Sequence, residues 1–274
     1  MRTRWMPVGG VAAGVIALNL AGGSALAAPT PPKPRDVAAA RTVIRAITRY
    51  DETAVRREGA MNAAAKALVA QVQAGCGGGI PSSVANGTAQ QQGVAFDLVF
   101  EGVIDLSLDA LQPVHGPGLA LSHTFDRVHF SKRAFTRAIH AIAKLQHALL
   151  TQQPSDLCAD VKAAAANGFT ADPPGTTASL KAFATDLSSA TSGVSGVLKK
   201  LTAYLTTKRD RAALKHLQTV DTRYQRFSTK LGAKWGRRLG QALTGAPPPA
   251  GGFPTNPPPP SSTQTAMTGA FATL

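Results

Sequence analysis

The chain has 274 residues, with 29 Lys and Arg against 15 Asp and Glu, a formal charge of +14 and 5% aromatic side chains. That balance favours anionic partners, and beyond the N-terminal segment no apolar run approaches the roughly 20 residues of a membrane-spanning helix. The abundance of Ala, Gly, Arg and Pro is a bias shared with proteins of GC-rich bacteria.

Residues 1–27 read as a secretory signal peptide: Arg2 and Arg4, an apolar stretch from Val8 to Leu20, then Ala25-Leu26-Ala27 as the cleavage site. No lipid-anchoring cysteine directly follows the apolar stretch and no Arg-Arg pair precedes it, so general secretion with a mature start at Ala28 and a charge of +12 is expected. Residues 28–35 form an extended leader, 36–243 a helical domain, and 244–274 an uncharged Pro-rich tail expected to stay disordered.

Within 36–243 the apolar spacing is helical throughout and predicts an all-α antiparallel bundle of five to six helices. The first runs over 36–74, bent at Gly59, and stops at Gly75; the second spans 88–111 and ends before Pro113 and Pro117. The third runs from Ser122, taken as its N-cap, to Gln152. A short fourth helix follows Pro154 and closes at Asn167-Gly168; the fifth carries Leu180 to Leu205, and the sixth Leu214 to Trp235.

Cys76 and Cys158 are the only cysteines, and in an exported chain they are expected to pair, tying the end of the first helix to the fourth. Two free thiols in a redox or metal site would call for a Cys-x-x-Cys spacing that is absent.

Charge is unevenly placed. Residues 199–238 hold twelve basic residues against Asp210 and Asp221, a local charge of +10. At about 100° per residue, Lys208, Lys215, Arg223, Arg226, Lys230, Lys234 and Arg237 share one broad face, away from the Leu217, Tyr224, Leu231, Trp235 stripe. Such a face suits an anionic envelope polymer or a membrane surface, or simply keeps the chain solvated. Aromatics are not interleaved with it, which argues against a nucleic-acid platform.

The second helix is the opposite. No Lys or Arg lies between Lys66 and Arg127, yet Asp97, Glu101, Asp105 and Asp109 recur every four residues among apolar neighbours. Buried carboxylates need partners, and Arg41, Arg45 and Arg49 repeat with the same step, so an inter-helix ion-pair ladder is expected. The alternative is a cation or small-ligand site built on the same acids.

His129, His140 and His147 fall on one line of the third helix, with Asp126 one turn from His129. Arg133, Arg137 and Lys144 sit beside them and the apolar residues occupy the opposite face, so they are read as solvent-facing rather than metal-binding. No His-Glu-x-x-His, nucleophile elbow or phosphate-binding Gly-rich loop is present; Gly193 to Val197 fails the elbow pattern. No catalytic residue, metal or cofactor is expected.

Overall fold

A computed structural model describes residues 32–76, 79–176, 178–183, 185–186 and 200–245. The expected signal peptide, the leader up to residue 31, the tail beyond Gly245 and the middle of the expected fifth helix lie outside the described residues.

The described residues form an all-α bundle: α1 (Pro34–Arg56), α2 (Glu58–Cys76), α3 (Ser82–Ala85), α4 (Ala89–Leu111), a 3-10 turn (Gln112–Val114), α5 (His115–Arg127), α6 (Arg133–Thr151), α7 (Leu157–Ala166) and α8 (Lys208–Thr244). None of them lies in a strand, and no helix among them is long and apolar enough to cross a membrane.

Local chemistry sets most of the ends. Pro34 and Arg35, expected in the leader, open α1, where a proline loses no helical hydrogen bond. The α1–α2 break falls at Arg57, two residues before Gly59. Thr88 and Gln91 close a reciprocal capping box on α4. Asp156 and Thr207 cap α7 and α8 through their side chains, and Gly245 stops α8 in the left-handed region at φ 66°.

The expected third helix is instead a hairpin of two. Pro113 sits in the 3-10 turn and Pro117 in the first turn of α5, so both start structure rather than end it. Ser122 is therefore not a cap but is buried midway along α5. The chain then reverses through 128–132, where Phe130 is buried and packs on Phe135.

α8, 37 residues long and so about 55 Å, packs along α1, α2 and α4. Its neighbours run both ways. Arg41 meets Asp210 and Asn62 meets Trp235, so α8 follows the direction of α1 and α2. Gly102 lies under Leu239 and Ser107 beside Ser228, so α8 opposes α4. Ile44, Leu98, Phe125, Ile139, Leu217 and Leu239 are among the fully buried side chains of one continuous core. The cleft between α2, α4 and α8, lined by Met61, Leu111, Tyr224 and Phe227, has a volume of about 20 Å³, room for one water-sized group and no more.

Candidate functional site

The basic face is built by the burial of its opposite. Leu217, Tyr224, Leu231, Trp235 and Leu239 of α8 are each 6% exposed or less, which fixes the helix's rotation. Lys208, Lys215, Arg223, Arg226, Lys230, Lys234 and Arg237 are consequently all exposed. None takes part in an ion pair among the described residues. Lys234 and Arg238 lie over the Trp235 ring at 4.6 and 5.0 Å, and the indole Nε1 donates to Asn62 Oδ1 at 2.8 Å, so this end of the face is held firmly.

The arginine ladder is a correction. Arg41 donates to Asp210 on α8, Arg45 to the Arg41 carbonyl, and no ion pair joins Arg41, Arg45 or Arg49 to the α4 acids. α1 packs against α8 and α5, out of reach of the acidic stripe. The segment after α6 covers that stripe instead.

Asp105 accepts from Ser155 N at 3.2 Å and Ser155 Oγ at 2.6 Å. Glu101 faces Ser155 and Asp160, and Asp97 faces Asp172. Neither oxygen of Asp97, nor Oε2 of Glu101, meets a hydrogen-bond partner, although both residues are buried. Loss of water raises all of them: Asp97 to about 7, with Asp172 adding to the rise, Glu101 to about 7 and Asp105 to about 6, the last two held back by Ser155. Asp109, half-buried, is raised by the same cause.

The acids thus meet other acids and a serine where the sequence pointed to arginines. They also do not converge. A four-residue step separates successive carboxyls by about 6 Å along the axis, and among the described residues no group of three His, Cys, Asp or Glu is placed to hold a metal ion.

A second acid pair escaped the sequence reading. Asp51 on α1 and Asp221 on α8 are 1% and 3% exposed beside the Tyr50–Tyr224 contact. Burial, and then each neighbouring carboxylate, raises Asp51 to about 8; burial raises Asp221 to about 6, opposed by Gln225. Burial lifts both tyrosines, Tyr50 to about 12. The only sequence signal was an acid inside each apolar stripe.

Cys76 and Cys158 are bonded, with Cα atoms 4.9 Å apart, and the bond joins α2 to α7 as expected. The histidines are arranged otherwise than on one helix line. His129 lies in the α5–α6 link against His140, while His147 lies near His123 across the hairpin. His140 Nε2 is 3.1 Å from the Val128 carbonyl. His123, His129 and His147 are exposed, and Lys144 pairs with Asp186 at 2.7 Å.

Comparison with known proteins finds no matching family model, curated protein or solved structure.

Proposed function

We propose that this chain is an exported, non-enzymatic bacterial protein that binds anionic material of the cell envelope, polymer or membrane surface, through the basic face of α8. The observation that carries the reading is the exposure of all seven face residues without a paired acid among the described residues. Structural cations usually find carboxylates; these stand in solvent on a rigid, buried-stripe helix, where they raise the local concentration of anions. Export is supported by the Cys76–Cys158 bond, which persists in an oxidising compartment, and by the reading of residues 1–27.

The experiment is co-sedimentation with wall fragments and with vesicles containing phosphatidylglycerol. Binding is expected at low salt, falling steeply as screening shortens the electrostatic range to about 8 Å at 0.15 M. R223E/R226E/K230E should abolish it while circular dichroism and melting stay unchanged, because all three are exposed and none lies over the Trp235 ring. No binding at low salt, or equal binding by the variant, overturns the proposal.

A further inference from the structure

The α8 face does not end at α8. His216 Nε2 lies 2.9 Å from Glu52 Oε1, joining the exposed flank of α8 to the exposed flank of α1. Counted at about 100° per residue, Arg45, Arg49 and Arg56 lie within roughly 60° of Glu52 on α1. Arg209, Arg223, Lys230 and Lys234 lie within roughly 40° of His216 on α8 by the same count. All seven are exposed and none is ion-paired among the described residues. The two helices run in the same direction here, fixed at one end by Arg41 on Asp210. Two basic stripes therefore lie side by side, about 17 Å long on α1 and about 38 Å on α8, and the acid between them, Glu52, is already bonded.

We infer that this α1–α8 seam is a binding track for a linear phosphate polymer of the envelope, of poly(glycerol phosphate) chemistry, laid along both helices. The inference rests on the proposed α8 function and narrows its partner. Three features select the polymer. The seam is long, narrow and continuous, and its charge is complementary to a chain of phosphates. Five of its seven cations are arginine, whose planar fork matches phosphate oxygens two at a time. No exposed residue of α1 or α8 is Leu, Ile, Val, Phe, Tyr or Trp, so the surface has nothing to insert into a bilayer and nothing on which to stack a base.

The test measures binding of the full exported chain to purified poly(glycerol phosphate) over a salt series. Comparison is made with R45Q/R49Q/R56Q on α1, the lysine-retaining R45K/R49K/R56K, and the α8 charge reversal. Loss of three phosphate contacts should lower the slope of log K against log salt by about 2 in the glutamine variant. The lysine variant should keep the slope. An unchanged slope in the glutamine variant, with binding lost in the α8 reversal, removes the seam and leaves the α8 reading standing; unchanged binding in the α8 reversal removes both. Tighter binding to phosphatidylglycerol vesicles, to single-stranded DNA or to a uronic-acid polysaccharide than to poly(glycerol phosphate) overturns the choice of partner.

Discussion

Arg41 donates from Nε and Nη2 to the two carboxylate oxygens of Asp210, at 2.8 and 2.9 Å, and so clamps the first half of α1 to the first turn of α8. Thr207 caps the same helix by accepting from the Asp210 backbone N–H at 3.1 Å, and its hydroxyl donates to the Asp210 carboxylate at 2.7 Å. Arg41 and Thr207 together hold the carboxyl well below the usual range. The fork is planar, so lysine at position 41 keeps the charge and loses the second bond. Arg41→Ala is expected to lower the melting temperature by several degrees at pH 7 and Arg41→Lys by less; equal melting of all three proteins would show that the clamp contributes nothing.

The Cys76–Cys158 bond closes a segment with a sequence separation of 82 and holds α7 on α2, where the Cys158 side chain lies against Gly75 and Val161 against Gly79. Removing such a bond typically costs about 2–5 kcal/mol. Reduced protein should unfold at correspondingly lower urea, and amide exchange over 155–166 should speed up more than in α6. Uniform acceleration across both regions would mean that the bond acts on the whole fold rather than on the seating of α7.

Two glycines of α4 separate packing from helix propensity. A Cβ at Gly102 would meet Leu157 Cδ2 at 2.9 Å and Leu239 Cδ2 at 3.2 Å, both in the core; at Gly93 it would meet nothing within 4 Å. Gly102→Ala is expected to destabilise by about 1–3 kcal/mol, and Gly93→Ala to stabilise by about 0.5–1 kcal/mol. The same sign of change at both sites would contradict the close approach of α4 to α7 and α8.

Much of this fold was legible in side-chain chemistry. The apolar spacing over 88–111 marked α4, the cysteine pair implied its own bond, and the Leu217 to Trp235 stripe fixed which way the α8 cations point. What escaped was the choice of neighbour. Arg41, Arg45 and Arg49 share the step of the α4 acids, but a step says which residues share a face and not which helix lies opposite. Ser155, which bonds Asp105, lies at the start of the fourth predicted helix, and no spacing in the sequence ties it to the acids. Pro113 and Pro117 misled for a local reason, since a proline is as welcome in the first turn of a helix as after its end.

Five buried acids that form no ion pair among the described residues make stability highest in mildly acidic solution. Asp51 stands at about 8, Asp97 and Glu101 at about 7, Asp105 and Asp221 at about 6, each raised chiefly by loss of water around the charged form. A carboxyl raised in the folded state keeps its proton longer there than in the unfolded chain. Its contribution is fully present below the unfolded value of about 4 and is lost as pH rises through the folded one. The loss therefore spreads from about pH 4 to about pH 8, with Asp51 last. Asp210 has the opposite sign: its carboxyl is depressed, so its contribution is present above about pH 4 and lost as pH falls further. The two trends place the optimum at about pH 4–5. Urea midpoints at fixed ionic strength should fall from pH 5 to pH 8, and Asp51→Asn with Asp97→Asn should flatten that fall. At pH 8 the double variant should be the more stable protein, by on the order of 2 kcal/mol, because it removes charges that burial penalises and that no ion pair among the described residues offsets. A midpoint that rises over the same range, or a double variant less stable than the parent at pH 8, would mean that these carboxylates are ionised and satisfied in the folded protein.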